Sequence, residues 1–191
     1  MRIAKVMAVA ACLLGLTGAP ALAQIKAGVE AGVSFSRVSP DAAGQSISRG
    51  PGALVGGWVS FQPWLPVGIQ IEAVYAQKRS HLTSSTDLKL DYFEIPILAR
   101  LKLFKSIYML EGIALGFPVS AKISPSSGTD TDIKNQITSP DIGMVIAGGV
   151  PLSPKVAIEF RYEGGFKNVN SSANAPVQRN RSLSGIIRIT M

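Results

Sequence analysis

The stretch DYFEIPILARLKL, residues 91–103, alternates two kinds of side chain along its length. After its first acid the odd positions are all apolar, whereas the even positions carry Glu94, Arg100 and Lys102. Alternation at period two is typical of a β-strand whose two faces meet different surroundings. The buried strand of a soluble protein would not take three such charges, and a central strand would not take Pro96. The chain must therefore form a sheet with two unlike environments on its two sides.

The same alternation recurs along the chain and defines eight segments. They span residues 25–35, 53–61, 69–79, 91–103, 107–121, 142–152, 156–166 and 182–191. Seven segments have one clearly apolar face, but in the segment 107–121 Glu111 shares the parity of the apolar side chains, so we assign no faces there. No apolar pattern of period 3.6 competes with these segments, so the sequence predicts an all-β fold.

The connections between the segments alternate in length. Long polar connections are expected at 36–52, 80–87, 122–140 and 167–180, and tight turns at 62–66, 104–106 and 153–155. This pattern places all long loops at one end of an up-and-down sheet, as in bacterial outer-membrane barrels.

Two closed barrels fit eight such strands, and they differ in which face points inward. A soluble, lipocalin-like periplasmic barrel buries the apolar face, whereas a membrane barrel turns that face to lipid. The polar face here is rich in glycine and opposed charges, which suits a narrow lumen, and aromatic residues such as Phe35, Phe61, Tyr75 and Phe166 lie towards the ends of the apolar face. We therefore predict an eight-stranded antiparallel up-and-down transmembrane β-barrel, with the soluble barrel as the alternative.

The first 23 of the 191 residues have the pattern of a secretory signal peptide. Arg2 and Lys5 precede a short apolar run, and small residues stand at a cleavage site after Ala23. A lipoprotein box ending at Cys12 is the weaker interpretation of the same segment. The barrel domain is then expected to span residues 24–191, and it contains no cysteine because Cys12 is the only one.

Several runs resemble a known family. IQIEAVYAQK (69–78), LDYFEIPIL (90–98) and IEFRY (158–162), together with AGVEAGVSFS (27–36), are similar to the porin-family outer membrane β-barrel proteins of the PorT-like type. The resemblance implies an eight-stranded barrel in the bacterial outer membrane, without a defined activity. One branch of such families is associated with protein secretion, but no residue here carries that role over. The chain departs from outer-membrane barrels that end on an aromatic residue, because it ends on Met191.

Charges on the polar parity are expected to pair across the lumen, since an unpaired buried charge costs several kcal/mol. The predicted network consists of Glu72, Glu94, Arg100, Glu159, Arg161, Glu163 and Arg188. Such a network would fill a lumen that is only wide enough for side chains. At Pro96, which cannot donate a ladder hydrogen bond, we expect a bulge or local irregularity.

Many of the bases fall at or near the end with the long connections. Those expected to face lipopolysaccharide phosphates are Arg37, Lys78, Arg79, Lys122, Lys167 and Arg181, with Arg49, Lys89, Lys134 and Arg179 near the same end. A simply solvated rim is the alternative interpretation of these bases.

Nothing in the sequence indicates an enzyme, a cofactor or a metal site. His81 is the only histidine, and its neighbours Ser84, Ser85 and Asp87 lie in one short polar segment that does not favour convergence into a catalytic site. We expect a monomer that acts structurally or through its long loops. Its expected partners are outer-membrane lipid, lipopolysaccharide, the assembly machinery and an unidentified loop partner. We expect no binding of nucleic acid. A narrow channel or a secretion-machinery component is the alternative.

Overall fold

The alternating segments form long β-strands in the structure, a computed structural model that describes residues 24–40, 47–64, 66–83, 85–104, 106–171 and 177–191. The strands are β1 (Gln24–Pro40), β2 (Ser48–Trp64), β3 (Val67–Thr83), β4 (Thr86–Phe104), β5 (Ile107–Pro125), β6 (Thr131–Asp132), β7 (Asp141–Pro151), β8 (Val156–Gly165) and β9 (Gln178–Thr190). A short 3-10 helix, Lys134–Gln136, follows β6. In these described ranges no helix is long and apolar enough to cross a bilayer. The predicted signal peptide, residues 1–23, lies outside them.

Eight of the strands in the described part of the chain close into a barrel. Each long strand pairs antiparallel with the next, with β5 pairing directly with β7, and β1 pairs with β9 from Gly28↔Thr190 to Pro40↔Gln178. The two-residue β6 adds a short extension beside β5. The closing pair leaves none of the eight strands with a free edge, which confirms the predicted eight-stranded up-and-down barrel.

The apolar parity of the strands faces outward. On β3 the side chains of Ile69 and Ile71 are 55% and 51% exposed, whereas the intervening Gln70 and Glu72 are buried. Val33, Phe93 and Ile187 on other strands are likewise exposed. A continuous outer surface of this kind requires lipid, so the alternative of a soluble barrel with an apolar interior is wrong.

The structure assigns the faces of β5, which the sequence left open. Ile107 and Ile113 point outward with Glu111 between them, so the acid lies on the lipid-facing side, opposite Ala99 and Ile146 in the ladders. Nothing in the structure explains this exposed carboxylate.

At one end of the barrel the strands extend further than the sequence predicted. β1 to β5 have 17 to 19 residues, whereas about 9–11 suffice to cross a membrane. The predicted loop 80–87 is wrong: β3 and β4 continue through it, with only residues 84 and 85 between them. At this end of the barrel the apolar alternation stops, but the strands stay paired and carry polar side chains on their outer face. We call this end, which has the long connections, the loop end, and we call the opposite end the turn end.

Pro96 produces no bulge, but it does produce a local irregularity, which is the other form that the prediction allowed. The β4–β5 ladder passes through Pro96↔Ala114, and the β3–β4 register is the same at Ile71↔Ile97 and Val74↔Glu94. The β3–β4 ladder is interrupted between those two pairs, because proline has no N–H to donate. The irregularity is thus a gap in one ladder and leaves the register unchanged.

Candidate functional site

The centre of the lumen is built around Arg188 on β9. Its Nη2 lies 2.7 Å from Glu30 Oε2, its Nε lies 2.8 Å from Glu159 Oε2, and it also contacts Glu72. Arg188 is buried, as are the three acids. The strand alternation places all four on lumen faces, and barrel closure brings β1, β3, β8 and β9 together around them.

Arg161 on β8 is the second cation of this cluster, which we call the central network (Glu30, Glu72, Glu159, Arg161 and Arg188). Its Nη2 lies 2.8 Å from Glu72 Oε2 and 2.9 Å from Glu159 Oε1. Glu72 and Glu159 each contact both arginines, so neither cation depends on a single partner. In a low-dielectric lumen such sharing offsets the desolvation of the charges.

A second cluster lies nearer the loop end. Lys78 Nζ is 2.6 Å from both Glu94 Oε1 and Glu163 Oε1, and 5.1 Å from the centre of the Tyr92 ring. The predicted rim position of Lys78 is wrong: the residue is 4% exposed and lies inside the barrel. Its even position on β3 gives it the lumen parity of Glu72, but the sequence places it close to the end of the strand, where we expected rim residues.

Arg100 faces the lumen as predicted but contacts no carboxylate among the described residues. Its Nη1 donates to Gln70 Oε1 at 2.9 Å, and its guanidinium stacks on the Tyr108 ring at 3.7 Å. The predicted network also omitted Glu30, although the position of Glu30 on the polar parity of β1 was enough to predict that it faces the lumen. Lys102, expected on the lumen side, is exposed at the turn end.

Apolar side chains fill the lumen between and beyond the charges, which the sequence did not predict. At the loop end, one buried cluster comprises Val38, Leu88, Leu90, Tyr92, Ala121, Ile137 and Val169. Two of its members, Ile137 and Val169, come from the connections on either side of β7–β8 and pack against lumen-facing side chains of β1, β4 and β5. Two further clusters flank the central network, one around Leu98 and Leu110 and one around Val74.

The other predicted rim bases lie near the loop end with outward parity or on a connection. Arg79 Nη1 lies 2.7 Å from Asp91 Oδ1, and Lys167 Nζ donates to the Pro140 carbonyl oxygen at 3.3 Å. Three pairs of bases directly oppose each other in the ladders of the described residues. They are Arg37↔Arg181, Arg79↔Lys89 and Lys89↔Lys122.

His81 does not form a catalytic constellation with the described residues near it. Its Nδ1 lies 2.6 Å from Asp87 Oδ1, but both side chains are more than 40% exposed on the outside of the β3–β4 hairpin. No group of three or more metal-ligating side chains occurs in the described ranges.

A closed eight-stranded barrel with an apolar outer surface and charged side chains in its lumen defines the outer-membrane β-barrel class. The sequence matches the family described as outer membrane protein beta-barrel domain over residues 20–171, and the chain belongs to that family. Membership of this family places the protein in the bacterial outer membrane.

Solved structures share the fold at low sequence identity. Neisserial surface protein A (NspA) is 17% identical with a TM-score of 0.58, and the match covers 86% of this chain and 97% of that one. Ail, the attachment invasion locus protein of Yersinia pestis, in complex with the heparin analogue sucrose octasulfate, is 10% identical with a TM-score of 0.53, covering 88% and 99%. No curated protein sequence matches the chain.

Exchanging Lys78 for methionine should destabilise the barrel strongly. The Lys78→Met variant leaves Glu94 and Glu163 facing each other in the lumen, and breaking a buried pair of this kind costs about 3–5 kcal/mol. The measurement is the free energy of unfolding in urea, in detergent micelles or lipid vesicles. Adding Glu94→Gln should recover part of the loss.

The matched control is Lys122→Met, the same exchange at an exposed position of the rim. It should change the free energy of unfolding by about 0.5 kcal/mol or less. Equal effects of the two substitutions would contradict the assignment of Lys78 to the interior.

Proposed function

We propose that the chain is a non-enzymatic outer-membrane barrel that acts structurally and through its loop end, where its bases hold the phosphates of lipopolysaccharide. The observation that carries this proposal is the filled lumen. Charge clusters and apolar clusters both occupy the lumen, and a further apolar cluster fills it at the loop end. A barrel filled in this way offers solutes no broad passage, so its function depends on its surfaces.

The opposed bases support an anionic partner at the loop end. Like charges directly across a ladder destabilise a sheet, and Arg37↔Arg181 and Lys89↔Lys122 both have this arrangement on the outer face, although Lys122 also lies opposite Asp132 in the β5–β6 ladder. Arg79 lies opposite Lys89 as well, so three adjacent strands present a row of bases. An anion between such bases would relieve their repulsion and gain charge-assisted hydrogen bonds.

Lipopolysaccharide phosphates are the anions that this position favours. The row lies on the outward face just beyond the apolar band, where the headgroups of the outer leaflet contact a membrane barrel. The Ail structure contains a polysulfated ligand, but at 10% identity the likeness extends to the fold alone. The proposal therefore rests on the bases of this chain.

Removing the opposed bases should reduce the lipopolysaccharide that co-purifies with the barrel. In the variant Arg37→Gln/Arg181→Gln/Lys89→Gln/Lys122→Gln we expect a loss of roughly half or more, because each base supplies a charge-assisted contact. The readout is lipopolysaccharide phosphate per barrel after mild detergent extraction. The matched control, Lys102→Gln/Lys155→Gln, removes exposed bases at the turn end and should change nothing. Unchanged lipopolysaccharide in the rim variant would overturn the proposal.

Residues 1–23 serve in this proposal as a signal peptide that directs export and is cleaved after Ala23. The exported barrel then meets the assembly machinery and inserts as a monomer. The PorT-like resemblance adds no secretion role to it. N-terminal sequencing of the protein from the outer-membrane fraction should give Gln24 as the first residue. A mature protein that retains residues 1–23, or that is recovered in the soluble periplasm, would contradict this.

A further inference from the structure

A small cavity opens in the lumen at the turn end, below the central network. Its volume is about 90 Å³, and its walls include Lys26, Arg100 and Arg188 together with Trp58 and Tyr108. The β7–β8 turn contributes Ser153 and Pro154 to the rim. No aspartate or glutamate lines it in the described part of the chain. Bases and hydrogen-bonding side chains therefore form the polar part of the wall, beside the apolar Pro151, Pro154, Val156 and Ala157.

Two buried donors on side chains that line the cavity have no hydrogen-bond partner among the described residues. They are Trp58 Nε1 and Arg188 Nη1, on side chains that are 6% and 2% exposed. The Nη2 and Nε atoms of Arg188 contact acids of the central network, whereas Nη1 contacts none of them. An indole N–H can only donate, and a buried donor without a partner is costly. Both donors would be satisfied by a ligand that only accepts hydrogen bonds.

The backbone is shaped to hold the Trp58 ring on this wall. Trp58 lies opposite Gly28 in the β1–β2 ladder, and a Cβ atom on Gly28 would come within 2.7 Å of the ring. Any other residue at position 28 would clash with the indole and, more closely, with the carbonyl oxygen of Ile189. The Arg188 guanidinium lies 5.6 Å from the centre of the same ring, so the two unpaired donors belong to neighbouring groups.

The charge balance favours an anion. The cavity and the central network together contain four bases, Lys26, Arg100, Arg161 and Arg188, against the three acids Glu30, Glu72 and Glu159. Neither Lys26 nor Arg100 takes part in an ion pair within the described residues. A monovalent anion would neutralise this local excess at the turn end, since Lys78, Glu94 and Glu163 form a separate cluster nearer the loop end.

We infer that this turn-end cavity is a binding site for a small oxyanion, a carboxylate or a phosphate, taken from the periplasmic side of the membrane. The short turns of outer-membrane barrels face the periplasm, so the cavity opens to that compartment. Its volume has room for several waters, which is enough for one oxyanion group. The group is either a free anion or the terminal carboxylate of a peptide whose chain extends out of the mouth.

Isothermal titration of the protein, purified from the outer membrane in an uncharged detergent, tests this inference. The probes are inorganic phosphate, an N-acetylated dipeptide with a free C-terminal carboxylate, and the same dipeptide amidated. We expect saturable binding of phosphate or the acidic dipeptide and none of the amide. Phosphate binding alone identifies a free anion as the ligand, and binding of the acidic dipeptide alone identifies a peptide terminus.

Lys26→Gln and Arg100→Gln should each weaken the binding roughly tenfold or more, since each removes a charged donor. Neither residue belongs to the central network, so the barrel should still fold, which heat-modifiable migration on a gel verifies. Lys155→Gln is the matched control: it removes a base at the same end that does not line the cavity, and it should leave the affinity unchanged. Absence of saturable binding, binding of the amide, or equal affinity in the Lys26→Gln and Arg100→Gln variants would overturn the inference.

Discussion

Hydrocarbon offers no hydrogen-bond partner to a peptide group, and the rest of this structure depends on that constraint. Each strand in the bilayer must satisfy its backbone within the sheet, so the sheet has to close. Here β1 and β9 complete the closure with 13 residue pairs, Gly28↔Thr190 through Pro40↔Gln178. Once the sheet is closed, every strand has one face towards lipid and one towards a narrow interior. The alternating sequence follows from this geometry.

The narrow interior in turn dictates the chemistry of the lumen faces. A charge placed there has little water, so it needs an opposite charge from another strand. Arg188 finds acids on three strands, and Lys78 finds acids on β4 and β8. These contacts join strands that are distant in sequence and leave no broad channel. What remains for function is the surface of the barrel at its two ends.

The two ends differ in a way that is consistent with their separate proposed roles. At the loop end, an apolar cluster fills the interior and bases are presented outward. At the turn end, donors and bases face into a cavity. Outward bases can meet a lipid headgroup beside the barrel, whereas inward donors can meet only a small ligand that enters the mouth.

Much of the fold could be predicted because strand parity is a local property. The two faces of residues 91–103 could be assigned from the sequence, and the structure turns Phe93 and Ile97 outward and Glu94 inward. The ends of strands could not be predicted in the same way, because a hairpin above the membrane has polar residues on its outer face and no longer alternates. Lys78 was misplaced for that reason.

The partners within the lumen were harder to predict than its faces. These partners depend on how the registers of several strands combine around the barrel. Examples are the contact of Arg188 with Glu30, and the stacking of Arg100 on Tyr108 in place of an ion pair with an acid. The apolar clusters inside the barrel also depend on which strands meet. The turn-end cavity combines residues from separate strands and a turn, so no local motif marks it.

The central claim is that the apolar parity faces lipid and the charged parity faces the lumen. A single-cysteine scan of residues 69–76 on β3 tests it directly, since the barrel domain has no cysteine of its own. Each variant carries a fluorescent label and is reconstituted with lipids whose acyl chains carry a quencher. Positions 69, 71, 73 and 75 should be quenched, and positions 70, 72, 74 and 76 should be protected. Quenching with the opposite parity, or with no alternation, would contradict the account.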